Sequence, residues 1–312
     1  MVKSSVYFVN GFIESGKTYF IKNILAQEYF KIPGKTLVIA CEEGEEEYDE
    51  TELSELNATV EYIEEEKDFT QKTIEALEKK HNPERIMIEF NGMWNRRGLD
   101  LSWCGEELVE MTIFDATTFR IYSENLRPIL AEQVRNADVI LFYKADLVRD
   151  QLPSFMRSLK ALNNNVALIF RGAKGDIFLD PDESLPYDIK ANNLELSDVG
   201  FCVFCLDAMQ RLSLYEGKNV KFSAQVHHMR DGEEFEFIAG RMVITCCQAD
   251  MIFSGIICEF IKVRELENKS WIEAEGTVRI KKDKVLKQEI PVIVIRSLKQ
   301  VEAPAEPEVS LI

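Results

Sequence analysis

A doubly wound α/β domain built on a mostly parallel P-loop sheet, followed by a small mainly-β domain of barrel or sandwich type, is the fold class that this 312-residue sequence predicts. Three observations predict it. An apolar run closes on Gly11, four intervening residues, and Gly16-Lys17-Thr18, the spacing of a strand-to-helix phosphate loop. Strand and helix patterns alternate from there to Phe170, as in a parallel sheet covered on both faces. Beyond Gly200 the period changes to a short helix and several short strands.

In order along the chain, Val6 to Val9 reads as a strand and Tyr19 to Tyr29 as an amphipathic helix with Phe20, Ile24 and Leu25 on one face. Lys35 to Ala40 is the second strand, bounded by Pro33-Gly34 and by an acidic loop that starts at Cys41. Thr70 to His81 places Ile74 and Leu77 on one helical face, and Asn82-Pro83 stops that helix before the strand Arg85 to Phe90, one βαβ step. Leu108 to Phe114 is the next strand, Glu124 to Asn136 a helix, Asp138 to Tyr143 a buried strand, Leu152 to Leu162 a helix and Val166 to Phe170 a strand. From Gly172 to Gly200 the pattern dissolves into Pro, Asp and Asn, which reads as a connection. Phe201 to Leu214 then carries Cys202, Cys205, Met209 and Leu212 at helical spacing, an apolar core stripe. Five strands follow at 219–229, 234–245, 251–261, 271–280 and 291–297. The expected domains are 1–195 and 196–301, with a Pro- and Glu-rich disordered tail at 302–312.

The formal charge is −17, and the acid concentrated between Glu42 and Glu66 argues against nucleic-acid binding. No run of eighteen apolar residues exists, and Met1-Val2-Lys3 leads straight into the first strand. Neither a membrane span nor a signal peptide is expected, and the cytoplasm is the default compartment. Seven cysteines in a chain of this size do not form a disulfide framework there, so metal binding or burial are their two readings.

A β- or γ-phosphate must be approached by backbone N–H groups, which is why Gly11, Glu14, Ser15 and Gly16 form a glycine-bounded loop. Lys17 can reach the β/γ oxygens, and the Thr18 hydroxyl is placed to ligate Mg²⁺. Glu89-Phe90-Asn91-Gly92 lies at the carboxyl end of a strand, where such sheets put their ligands. Glu89 there can act on Mg²⁺ or its water, with Gly92 sensing the γ-phosphate, or it is a surface carboxylate. Tyr143-Lys144-Ala145-Asp146 sits where an (N/T/S)KxD loop reads guanine: Asp146 would accept from the base's two N–H donors and the Lys144 stem would cover it. Tyr143 replaces the small polar residue, which keeps an ATP-using alternative open. Trp94-Asn95-Arg96-Arg97 is either a sensor loop carrying an arginine to phosphate or a solvated loop. Cys246 and Cys247, with Asp250 as a companion, are either ligands for a soft or borderline metal such as Zn²⁺ or buried core cysteines.

The motifs GFIESGKT, CEEGEEEYD, ExxG at Glu89, FDA at Phe114 to Ala116, QVRNAD at Gln133 to Asp138 and KAD occur in one order, and residues 4–175 resemble the CobW-like GTPases. That family is similar to metallochaperones that use GTP to deliver Zn²⁺, Co²⁺ or Ni²⁺ to a client metalloprotein. The resemblance implies that Lys17 and Thr18 hold phosphate and Mg²⁺, that Glu89 and Gly92 form a Walker B-type sensor, and that Lys144 with Asp146 reads the base of GTP or GDP. CEEGEEEYD resembles the switch stretch NExGExxxD, matching at Glu42, Gly44, Glu45 and Asp49, which puts Asp49 beside Thr18 and Glu89 as a Mg²⁺ ligand. The CxCC metal motif is missing, because no cysteine lies between Asp49 and Arg85. Residues 201–297 resemble the C-terminal domain of permease-associated proteins of the YcgQ type, on YEGK, RMVITCCQAD and WIEAEG. The two implied functions are a GTP-hydrolysing switch and a nucleotide-binding adaptor for a membrane permease.

Overall fold

The computed structural model describes residues 4–42, 44, 46–105, 107–229, 235–244, 251–283 and 287–310. The chain divides into two units, residues 1–152 with 162–178 and residues 153–161 with 179–312.

The first unit runs β1 (Ser5–Asn10), α1 (Lys17–Leu25), β2 (Thr36–Ala40), α2 (Glu50–Glu55), β3 (Ala58–Tyr62), α3 (Gln71–His81), β4 (Arg85–Glu89), β5 (Leu108–Asp115), α4 (Ala116–Asn125), α5 (Arg127–Arg135) and β6 (Val139–Tyr143). After α6 (Leu152–Leu162) it adds β7 (Ala167–Gly172) and β8 (Gly175–Ile177). The eight strands take the order β3-β2-β4-β1-β5-β6-β7-β8. All pairs are parallel except β7 with β8. β2 (TLVIA) and β4 (RIMIE) are buried at every position, as strands covered on both faces must be. β1 lies between β4 and β5, so connections leave it in opposite directions and open a crevice at its carboxyl end.

Two elements of this unit depart from the sequence reading. The acidic interval after β2 holds a further step, α2 and β3, so two crossovers separate β2 from β4 rather than one. β3 (ATVEY) is a partly exposed edge strand, which needs no continuous apolar run; its register comes from pairing with β2. The helix expected at Glu124 to Asn136 is two. Asp115 caps α4 by accepting from Thr117 N, and α5 restarts after Leu126 with Pro128 in its first turn, where proline is tolerated.

The second unit contains β9 (Asn193–Glu195), α7 (Asp198–Gln210), α8 (Leu212–Tyr215), β10 (Asn219–His228), β11 (Glu236–Ile244), β12 (Met251–Glu259), β13 (Trp271–Lys282), β14 (Glu289–Val301) and β15 (Val309–Ser310). The order β15-β11-β12-β14-β13-β10-β9, with β10 also paired to β11, closes β10 to β14 into a five-stranded barrel of OB type. α7 packs on strands β10, β11, β12 and β14. It is apolar nearly all round, Phe201 to Cys205 being buried without interruption, so Cys202 and Cys205 are core side chains as their spacing indicates. Phe201 stacks on Phe222, with ring centroids 4.8 Å apart.

The stretch read as a connection supplies β8 to the first sheet and β9 to the second. The ending read as disordered is also in place. β15 runs parallel to β11 with Val309 buried. Arg241, fully buried, donates to Pro307 O and Glu306 O at 3.2 Å each, pairs with Asp198 at 2.6 Å and stacks over Trp271. A buried guanidinium must keep its partners, and these two are backbone carbonyls that composition does not reveal.

Removing residues 306–312 strips both carbonyls from Arg241 and exposes Val243 and Cys202 beneath β15. The truncated chain is expected to lose roughly 2–3 kcal/mol in urea unfolding of the second unit. An unchanged midpoint would mark the ending as energetically inert.

Candidate functional site

The crevice at the end of β1 is built first from backbone. Gly11 (φ 143°) and Gly16 (φ 94°, capping α1) hold conformations that L side chains avoid. A Cβ on Gly11 would lie 2.2 Å from Ile113 O, and one on Gly92 would lie 1.9 Å from Gly11 O. The phosphate loop, β5 and the loop after β4 therefore touch through main chain. Glu14 (φ 58°) and Lys144 (φ 53°) are left-handed without being glycine, a strain of about 1–3 kcal/mol each that clusters at sites of function.

Lys17 is buried in this cradle. Its ammonium donates to Gly11 O at 2.9 Å and Phe12 O at 2.8 Å, and it pairs with Glu42 at 2.7 Å. Thr18 Oγ1 donates to Glu89 Oε1 at 2.7 Å, and Tyr48 donates to Glu89 Oε2 at 2.5 Å. Burial pushes the Glu89 carboxyl up, against the hydrogen bonds from Tyr48 and Thr18. It pushes Glu42 up as well, against Lys17. Ser15 Oγ and Glu42 Oε2 are buried with no hydrogen-bond partner among the described residues. Such atoms cost about 1–3 kcal/mol each in a folded protein unless a ligand satisfies them.

Beyond the loop a cavity of about 530 Å³ extends along the carboxyl ends of β5, β6 and β7, from Ser15 and Gly16 to Asp146. Lys144 donates to Asp115 Oδ2 at 2.5 Å. Burial works to raise the Asp115 carboxyl, but the bonds from Lys144 and Thr117 prevail and hold it low. Tyr143 is the wall between the two ends. Its ring lies 3.3 Å from where a Gly16 Cβ would stand and meets Tyr19 edge to face, with centroids 5.4 Å apart. Burial pushes its hydroxyl up to about 12, against the nearby charge of Arg171. Arg171 is fixed in turn by Asp176 at 2.7 Å. Gly172 makes room for Asp146, whose Cβ would stand 2.8 Å from any Cβ there.

The structure thus brings Gly11, Gly16, Lys17, Thr18, Glu89 and Gly92 together at one end, and Glu14, Ser15, Lys144 and Asp146 along one cavity. Asp49 is exposed, its Oδ1 accepts from Thr51 N and Glu52 N as the cap of α2, and these bonds hold its carboxyl low. In the same stretch, Tyr48 reaches Glu89 and Glu42 reaches Lys17. The arginines after Gly92 do not turn to phosphate. Arg96 forks onto both Glu110 oxygens and lies over the Phe8 ring, and Arg97 pairs with Glu132. Cys246, Cys247 and Asp250 fall outside the described residues. Among the described residues no three His, Cys, Asp or Glu side chains are placed to hold a metal, and no helix is long and apolar enough to cross a membrane.

Sequence reasoning missed Tyr19, Tyr48, Arg171, Gly172 and Ala173, and gave Glu42, Asp115 and Gln133 no task. Arg171 to Ala173 were legible in principle, because they end a strand beside β6 as Glu89 ends β4. Gln133, buried on α5, donates to Gly92 O at 3.0 Å and so anchors the sensor loop.

The family profile of the CobW/HypB/UreG nucleotide-binding domain matches residues 5–170, and that of the DUF1980 C-terminal domain matches residues 181–309. No curated protein matches the chain. Among solved structures, the Zn(II)-bound YjiA GTPase from E. coli is 15% identical with TM-score 0.42, over 98% of this chain and 92% of that one. The hydrogenase maturation factor HypB from Archaeoglobus fulgidus is 15% identical with TM-score 0.40, over 55% and 83%. HypB from Helicobacter pylori, in complex with nickel, is 16% identical with TM-score 0.37, over 58% and 82%.

Raised carboxyls give a pH signature to the nucleotide-free protein. A group whose folded pKa lies above its unfolded value contributes stability that is complete below the unfolded pKa and is lost as pH rises through the folded one. Glu89→Gln removes the buried charge, so it is expected to melt about 2–4 °C above the parent at pH 7.5, with the gap closing at pH 4.5. Calorimetry at the two pH values checks this; a variant that melts lower at pH 7.5 contradicts it.

Proposed function

The chain belongs to the CobW/HypB/UreG nucleotide-binding family, and from that premise we propose that it is a Mg²⁺-dependent GTP-binding and GTP-hydrolysing switch. One observation carries the reading: a cavity of about 530 Å³ runs from Glu14, Ser15 and Gly16, the loop residues that directly precede Lys17 and Thr18, to Lys144 and Asp146, a volume in the range of a small-ligand site. Gly11 to Gly16 turn backbone N–H groups to the phosphates, and the α1 N-terminus adds positive potential there. Lys17 exchanges a protein carboxylate for phosphate oxygen. Thr18 and Glu89 offer hard oxygen donors in contact with one another, a set that fits Mg²⁺, and they would hold the ion. Bound there, Mg²⁺ would supply positive charge against the β- and γ-phosphates. Gly92, in main-chain contact with Gly11, passes the state of the phosphate loop to the stretch after β4. Asp146 accepts from the two N–H donors on guanine and meets an acceptor on adenine, which sets the base. Tyr143 leaves that carboxylate in place and serves as a packing wall.

A client metalloprotein is consistent with the family. Among the described residues no cluster fits a transition metal. The second unit is the part available to transmit the nucleotide state to a partner.

Phosphate release by the purified chain, compared with Lys17→Ala, tests turnover. The variant is expected to fall by at least about a hundredfold, since it loses the charge facing the transferred group. Equal rates would remove the enzyme and leave a nucleotide-binding adaptor.

Base choice has its own measurement. GTP and GDP are expected to displace a fluorescent guanine nucleotide at least about tenfold better than ATP, and Asp146→Ala should erase the difference. Comparable displacement by ATP from the parent protein would make the chain an ATP-using relative.

A further inference from the structure

Lys17 has three N–H donors, and in this structure each has a partner: two phosphate-loop carbonyls and the carboxylate of Glu42. The third donor is the one a phosphate oxygen would take. Glu42 thus stands where an anion belongs, its side chain only 9% exposed and its other oxygen without a hydrogen-bond partner among the described residues. It also feels the charges of Glu89 and Glu14, so nothing but Lys17 favours its ionised form in that position. We propose that Glu42 is a specificity-determining residue of the nucleotide site, a built-in phosphate surrogate that must leave Lys17 before a triphosphate can seat, and that its departure distinguishes GTP from GDP. The proposal rests on the guanine-nucleotide reading of the crevice.

The argument is one of charge and reach. A triphosphate carries one more negative charge than a diphosphate and places its doubly ionised end one group further out, in a buried place where a carboxylate oxygen has no hydrogen-bond partner among the described residues and screening is weak. A diphosphate is one group shorter and meets less of that charge. Glu42 is also tied mechanically to the residues that follow. It begins the stretch that carries Glu46, which pairs with Lys22 at 3.6 Å, and Tyr48, which donates to Glu89. Expelling Glu42 therefore pulls on the segment whose far end touches the Mg²⁺-binding carboxylate. A triphosphate that displaces it converts an extra phosphate into movement of Glu42 and, through the chain, of Tyr48. Glu42→Gln keeps the shape and removes the charge, so the amide yields Lys17 without repelling phosphate.

The experiment measures dissociation constants for GDP and for a non-hydrolysable GTP analogue, with Mg²⁺, on the full chain and on Glu42→Gln, Glu42→Asp and Lys17→Ala. The triphosphate-to-diphosphate affinity ratio is expected to rise by at least about tenfold in Glu42→Gln, chiefly through tighter triphosphate binding. Glu42→Asp, one methylene short of Lys17 but still charged, should fall between the two. A ratio unchanged in both Glu42 variants, with GDP still bound, overturns the proposal and leaves the nucleotide reading standing. No nucleotide bound by the parent chain overturns that reading itself. If Glu42→Gln does not fold, the Asp variant decides, a parent-like ratio refuting the surrogate role.

Discussion

A buried ammonium with its three donors filled organises the first unit. Lys17 sits in a backbone cradle that admits no side chain, and the low dielectric around it makes each of its contacts matter. Around it stand two carboxylates, Glu42 and Glu89, that burial would rather see protonated. This is a frustrated arrangement by the standards of a protein core, with two buried polar atoms, Ser15 Oγ and Glu42 Oε2, that have no hydrogen-bond partner among the described residues. Groups of that kind persist where a ligand completes them. The proposed phosphate and divalent ion would supply partners for these groups and stabilise the fold on binding.

The sheet makes the arrangement possible by geometry alone. Because β1 lies at the reversal of strand order, the ends of β4, β5, β6 and β7 fan around one opening, and each delivers one group: Glu89, Asp115, Lys144 with Asp146, and Arg171 with Gly172. β4 is buried throughout, β5 over its carboxyl half and β6 at its centre, so these strands cannot shift register without exposing apolar side chains, and the groups at their ends are fixed in relation to one another. Two close approaches, Gly92 on Gly11 and Gly172 on Asp146, set glycine at positions where any side chain would push the site apart.

The second unit is stabilised on different terms. Its barrel core is apolar, with α7 laid against the strands and three cysteines, Cys202, Cys205 and Cys258, whose thiols burial pushes up and out of reactive range. Its one wholly buried guanidinium among the described residues, Arg241, is satisfied by Asp198 and by backbone near the end of the chain. A Pro- and Glu-rich ending is thereby held by two carbonyls and one short strand pairing, features that every sequence of that length possesses.

The sequence by itself determined what is local. Glycine spacing, a lysine and a threonine after an apolar run, and carboxylates at strand ends are all written within a few residues of the groups they serve, so Lys17, Thr18, Glu89 and Asp146 could be read directly. So could the buried strands, whose uninterrupted apolar residues have no other use. Only the tertiary structure decided the rest. Glu42 meets Lys17 across 25 positions of sequence and Tyr48 meets Glu89 across 41, and nothing in either residue's neighbours states its partner. In the same stretch, Asp49 caps α2 by accepting from Thr51 N and Glu52 N, a role that its spacing from those residues alone does not state. β3, β8, β9 and β15 gained their order from hydrogen bonds donated by neighbouring strands rather than from a hydrophobic period of their own. Charge pairing and edge pairing act through space, and the chain records them only once it is folded.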